Sequence, residues 1–144
     1  MKGTEKVIIS DDEIRITNLK KDWVMHKGEK SLMCKLADIV TKNGGDILEI
    51  GFGMHLSADA VQSNPNVTSH TIIEIHPEMF KNALLWAENK PNVKIILGDW
   101  IDVLPTLLSP IIINCILSSY FIIDCIKIYL LFKLYYNINQ QEVR

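Results

Sequence analysis

Gly44-Gly45-Asp46-Ile47-Leu48-Glu49-Ile50-Gly51-Phe52-Gly53-Met54 is the stretch whose reading decides the fold. Residues 46–50 are mostly apolar and β-prone, with a glycine pair before them and Gly51 after them, which reads as a short buried strand. Gly51 and Gly53 lack a Cβ, so the chain can bend sharply there and a ligand can approach the backbone. A helix starting at about Met54 would aim free N–H groups at that ligand. Strand, glycine turn and helix in this order open a doubly wound α/β sheet.

Two ligand classes use such a turn. The dinucleotide fingerprint G-x-G-x-x-G needs a third glycine at position 56, and that position is Leu56. The alternative is E-x-G-x-G, which opens S-adenosyl-L-methionine (SAM) sites, and Glu49 to Gly53 fits it. A bare E-x-G-x-G is also compatible with a tight turn that binds nothing, so the rest of the chain has to decide.

The bulk composition narrows the field. A chain of 144 residues, 48% hydrophobic and 22% charged, with net charge −2, is one globular domain. Its near-neutral balance carries no electrostatic footprint for nucleic acid. Cys34, Cys115 and Cys125 are an odd number without framework or metal-ligand spacing, which reads as reduced thiols in an intracellular protein. Met1-Lys2-Gly3-Thr4-Glu5-Lys6 is polar and soon followed by acids, so no secretory leader is expected. The expected location is cytoplasmic, with a nuclear one left open.

Along the chain, residues 7–16 read as two short strands about the acidic turn Ser10-Asp11-Asp12. From 29 to 41, Leu32, Met33, Leu36, Ile39 and Val40 recur at helical spacing, and Asn43-Gly44-Gly45 ends that helix. After the glycine turn, Leu56, Ala60 and Val61 mark a second helix, stopped by Ser63-Asn64-Pro65-Asn66. Residues 71–75 are the next strand. His76-Pro77-Glu78 opens a third helix, with Met79 or Phe80, Leu84, Leu85 and Trp86 as its apolar side. Residues 93–97 are a third strand ending in Gly98-Asp99-Trp100, and 101–108 a short helix interrupted by Pro105. Alternating elements with short loops predict parallel strands. Ligands in such sheets bind at the carboxyl ends of the strands, where the Gly51 turn, Glu74 and Asp99 all fall.

Glu74 closes the second strand about twenty residues after the glycine turn, where an acid can accept both hydroxyls of a ribose. The competing reading is a solvated strand-end glutamate. Asp99 could accept from an adenine amino group or be an ordinary turn aspartate, and Trp100 could stack on adenine or be plain core. His55 is expected to touch ligand through its backbone only. His26, His55, His70 and His76 form no metal pattern with the cysteines. Glu29, at a helix start near the same edge, can pair with a cation or simply with the helix dipole.

At this point a family resemblance enters. Val24-Met25, Glu29, Met33, Leu36-Ala37, Gly44-Gly45, Leu48-Glu49, Gly51-Phe52-Gly53-Met54, Val61-Gln62 and Ile73-Glu74 together resemble guanidinoacetate N-methyltransferases. Phe80, Trp86-Ala87, Gly98, Trp100, Asp102-Val103 and Pro105-Thr106-Leu107 continue the pattern, while Glu74-Ile75-His76-Pro77-Glu78 is nearer to the related arginine δ-nitrogen methyltransferases. The resemblance covers about 23–108. It implies a Rossmann-like class I SAM methyltransferase fold and a SAM site of Met25, Met33, Gly51, Phe52, Gly53, Met54, His55, Leu56, Glu74, Ile75, His76, Asp99 and Trp100. It also implies that Glu29 binds the guanidino group of a small-molecule substrate. The family's Trp-Glu-Thr-Pro is here Gly28-Glu29-Lys30-Ser31, and no Y-D-T-Y-P-like motif follows Leu108.

The expected organisation is therefore an N-terminal cap (1–28), a SAM-binding core (29–108) and a divergent apolar tail (109–144), with the family's C-terminal half truncated. The tail is a candidate for self-association, with 111–117 as a substitute fourth strand and 120–135 as a covering helix. Residues 111–123 carry no charge, but a membrane span wants about 20 apolar residues, and Asp124 and Lys127 would each cost about 2.5–3.5 kcal/mol at a bilayer centre. Guanidinoacetate methylation is the leading expectation. Arginine δ-nitrogen methylation on protein, an inactive SAM-binding remnant and a tail-anchored membrane protein are its rivals.

Overall fold

The computed structural model describes residues 7–16, 23–107 and 115–118. Strands β1 (Val7–Ile9), β2 (Glu13–Ile16) and β3 (Trp23–His26) form a small antiparallel sheet in the order β1-β2-β3. The acidic turn between the first two closes on Ser10, whose Oγ accepts from the N–H groups of Asp12 (3.4 Å) and Glu13 (3.2 Å). β3 is not expected from the sequence, because four residues are too few to display an alternation.

A 3-10 turn, Lys27–Glu29, leads into α1 (Lys30–Val40). Then follow β4 (Gly45–Ile50), α2 (Leu56–Gln62), β5 (Val67–Glu74), α3 (Pro77–Ala87), β6 (Val93–Leu97), α4 (Trp100–Leu107) and β7 (Cys115–Ser118). The second sheet has the order β6-β5-β4-β7, and every neighbouring pair is parallel. From β4 the chain steps outward through β5 to β6, then returns past β4 to β7. The order reverses beside β4, which is where open sheets of this kind bind ligands. The fourth strand expected over 111–117 forms at Cys115–Ser118, while the helix expected over 120–135 lies outside the described residues.

The side-chain period of two divides the central strands between two faces. Ile47 and Val67 pack with Ala37 and Val61, and Ile72 packs with Ile14, Phe52, Ala58, Met79 and Ala83, so α1, α2, α3 and the small sheet share one face. Leu48 and Ile73 point the other way, onto Leu104 of α4. A strand buried on both faces reads as a continuous apolar run, which is why 46–50 was legible.

The helix faces differ from expectation. Helix α1 buries Met33 and Ala37, leaving Leu32 46% and Ile39 70% exposed; helix α3 buries Met79 and Ala83, leaving Leu84 45% and Leu85 65% exposed. In both, the helix turns its small alanine to the sheet so that the backbones approach closely. Helix α4 is not interrupted by Pro105. The carbonyl that this proline leaves unpaired is that of Ile101, an exposed residue, so water can satisfy it.

Ile72 is 0% exposed at the centre of the sheet. Ile72→Ala is expected to destabilise the chain by about 2–5 kcal/mol, read from urea unfolding, because the surrounding helices cannot collapse into the space.

Candidate cofactor site

The glycine turn is fixed by the strands beneath it. Gly51 takes φ +82° and its N–H donates to the Ile73 carbonyl (2.8 Å), carrying the β4–β5 pairing one step past the strand. Gly98 N–H donates to the Glu74 carbonyl (3.0 Å) on the other side of β5. The starts of both connections and the end of β5 thus meet at one edge.

Glu74 is 5% exposed, not a solvated strand end. Its Oε2 accepts the N–H of Phe52 (2.8 Å) and its Oε1 the N–H of His76 (2.8 Å). Two backbone donors hold the carboxylate in one orientation, and each oxygen keeps further acceptor capacity. Phe52 serves only through its backbone, since its ring is buried and meets Trp86 edge-on at 5.5 Å. His76 caps α3, its Nδ1 accepting from Glu78 N–H (3.2 Å), and Ile75 between them is half-buried.

Met25 of β3 is 1% exposed and lies over Gly53. A Cβ at Gly53 would stand 2.8 Å from Met25 Cε and 2.9 Å from its Sδ, and the backbone there has φ +51°. Met54 N–H donates to the Met25 sulfur (3.2 Å), and His55 N–H donates to the Phe52 carbonyl (2.9 Å). The helix expected from Met54 starts at Leu56, so these two N–H groups, expected to face a ligand, are spent on closing the turn. The His55 ring pairs with Asp59 (2.8 Å). Leu56, in place of a third glycine, is half-buried.

The remaining candidates take structural roles as well. Asp99 caps α4, its Oδ1 accepting Ile101 N–H (3.0 Å), and Trp100 packs against Leu48, Ile73 and Leu104. Met33 is buried on α1. Glu29 does not simply face the helix dipole: its Oε1 accepts His26 N–H (3.1 Å) while His26 Nδ1 accepts Gly28 N–H (2.9 Å), a reciprocal capping box. Sequence reasoning missed a buried polar chain of Ser57, Glu49, His70 and Gln62. An acid inside the apolar run 46–50 was the available signal, because a fully buried carboxylate must be paired.

The model of the guanidinoacetate N-methyltransferase family matches residues 6–125. The chain belongs to this family. The match reaches beyond Leu108 and takes in β7, which lies beside β4. Protein arginine N-methyltransferase 2 of Yarrowia lipolytica is 31% identical to this family member over 113 residues, 73% of this chain and 23% of that protein. Its namesake in Candida glabrata is 37% identical over 104 residues, 68% of this chain and 25% of that protein. The chain thus spans about a quarter of the length of these curated relatives. A spermidine synthase solved with the transition-state analogue AdoDATO shares the fold, with TM-score 0.56 at 11% identity over 81% of this chain and 46% of that one.

The family is one of SAM-dependent methyltransferases, and its cofactor is SAM. The residues present fit that group: a bend with glycines at positive φ, and beside it a nearly buried carboxylate held rigidly at the strand edge with acceptor capacity to spare. Among the described residues, no helix is long and apolar enough to cross a membrane.

Gly53→Ala is expected to lower both thermal stability and SAM affinity, since its methyl group displaces Met25 and the backbone needs positive φ. Calorimetric titration with SAM alongside a melting curve measures both.

Proposed function

We propose that this chain carries the SAM-binding core of an N-methyltransferase whose acceptor is the guanidino group of a protein-bound arginine. The observation that supports it most is the Glu74 carboxylate, held by Phe52 and His76 at the edge where Gly51 and Asp99 also emerge. In this reading Glu74 accepts the two ribose hydroxyls, while Asp99 and Trp100 flank the adenine. Met25 closes the turn, and Met33, Gly51, Gly53, Met54, His55, Leu56 and Ile75 complete the surroundings. SAM, when bound, supplies an electrophilic methyl group on sulfur.

The acceptor side rests on Glu29. One carboxylate oxygen holds the His26 N–H, which fixes the side chain, and the other is available to a guanidinium. Such a carboxylate orients the planar group, so that one nitrogen lines up with the methyl, and takes up the proton that the nitrogen releases. Positioning is the main device, and a misplacement of about 1 Å can cost about 10²-fold. The names of the relatives favour arginine in a protein over a free guanidino acid. The family description favours guanidinoacetate, which is the second reading.

Two measurements test the proposal. Glu74→Ala is expected to weaken SAM binding at least about tenfold, because two hydrogen bonds to a carboxylate, each about 1.5–3 kcal/mol, are lost. Equal affinity in the two proteins would remove the ribose assignment. With radiolabelled SAM, methyl transfer to an arginine-bearing peptide is expected to exceed transfer to guanidinoacetate. Glu29→Gln is expected to reduce that transfer by about 10²-fold while SAM affinity stays within about twofold. Transfer to neither acceptor by a chain that binds SAM would leave a binding module and overturn the catalytic reading.

A further inference from the structure

Glu49 is the acid of the E-x-G-x-G motif, yet it is 0% exposed and so out of reach of any ligand. Ser57 and His70 are likewise 0% exposed. Ser57 Oγ donates to Glu49 Oε1, and His70 Nε2 lies 2.8 Å from Glu49 Oε2. On the other side of the ring, Gln62 Nε2 lies 3.2 Å from His70 Nδ1. With the Gln62 amide nitrogen toward the ring, a neutral imidazole accepts at Nδ1 and gives its Nε2 proton to Glu49. So arranged, the chain runs from Gln62 to His70 to Glu49, and Ser57 donates to Glu49 from the opposite side.

The placement of these four residues gives the chain a purpose. Glu49 and His70 belong to adjacent strands β4 and β5, and Ser57 and Gln62 lie near the two ends of α2. One alanine and one valine, Ala58 and Val61, are the buried apolar residues of α2, and such small, smooth groups resist sliding poorly. The polar chain pins the helix at both ends. The turn 51–55 is strung between β4 and α2, so the pitch of α2 sets where Gly51, Gly53 and the Phe52 N–H stand. That N–H in turn holds Glu74.

We infer that Glu49 is a positioning residue for the cofactor turn, acting through Ser57 and through the His70–Gln62 pair without touching the cofactor. The inference rests on SAM lying against this turn beside Glu74, as proposed above.

The test uses the full chain, with SAM and its product S-adenosylhomocysteine, which lacks the sulfonium charge, as probes in calorimetry, and a melting curve for every variant. Ser57→Ala, which deletes one hydroxyl, is expected to weaken both probes equally, by about fivefold. Gln62→Met, at the half-buried far end of the chain, is expected to weaken both in the same sense by a smaller factor. Glu49→Gln is expected to keep both affinities within about twofold. The new amide donates to His70 Nε2, the ring proton moves to Nδ1, and Gln62 turns its amide about to accept it, so the chain is rebuilt in the reverse direction. Leu107→Ala, at the far end of α4 on the other face of the sheet from α2, is the control. It is expected to lower the melting temperature at least as much as Ser57→Ala and leave both affinities unchanged.

Unchanged affinity in Ser57→Ala and Gln62→Met, with Glu74→Ala still weakened, would overturn the inference and spare the cofactor site. A loss in Leu107→Ala matching that in Ser57→Ala would reduce the chain to general stability. A loss in Glu49→Gln that falls on SAM and spares S-adenosylhomocysteine would replace positioning with a direct effect of the Glu49 charge. If the unaltered chain binds neither probe, the cofactor-site reading fails and this inference fails with it.

Discussion

A carboxylate that is 5% exposed has to find donors, and Glu74 finds two in the backbone, the N–H groups of Phe52 and His76. These belong to the connections that leave β4 and β5, so one side chain ties both loops to the edge of the sheet. The tie has a cost on each side. Without Glu74, the buried Phe52 N–H and the part-buried His76 N–H would lose their partner, at a cost of about 1–3 kcal/mol for a buried donor. Without the parallel β4–β5 register, which sets Ile50 against Ile73, neither N–H would reach the carboxylate. The arrangement is thus a consequence of sheet topology: the strand order reverses beside β4, and the connections that leave β4 and β5 supply the donors that fix this acceptor at the sheet edge.

The sheet carries a second acid of opposite character. Glu49 and Glu74 share a face through the two-residue period, but Glu49 lies deeper and is satisfied by side chains, Ser57 and His70, instead of by the ends of loops. Burial decides the division of labour. A carboxylate with no exposure can only organise the protein around it, whereas one at the edge with two backbone donors can still accept from outside. In this chain the acid that marks the motif in the sequence and the acid proposed to face the cofactor are therefore different residues.

Much of this was legible in the sequence, for stated reasons. Strands β4, β5 and β6 show as apolar runs over 46–50, 71–75 and 93–97, although β5 begins earlier, at Val67, and ends at Glu74; the glycines at 51 and 53 announce a bend that needs positive φ, and Glu74 stands out by its interval from them. The helix faces were less legible. On α1 and α3 a stripe of large apolar residues competes with a stripe centred on alanine, and the choice depends on how closely the helix must approach the sheet. Leu32, Ile39, Leu84 and Leu85 sit on the losing side and are exposed. Asp99 and Trp100 could be placed at the edge but not given a task, because capping, core packing and ligand contact ask for the same residue types there. The polar chain around Glu49 depends on the registration of His70 with Ile47 across β4 and β5, which periodicity along one segment does not contain.

The small N-terminal sheet then takes on a different meaning. Ile14 enters the same core cluster as Phe52, and Met25 fills the space that a side chain at position 53 would need. Gly53 is accordingly required twice over, once by its φ of +51° and once by the thioether above it. The contact runs both ways, since Met54 gives its N–H to the Met25 sulfur and so cannot offer it to a ligand. What a bare glycine motif presents as open backbone is here partly closed by protein. The acceptor capacity left at this edge lies with the carboxylates of Glu74 and Asp99, and Met25 of the small sheet closes over the glycine turn that Glu74 holds.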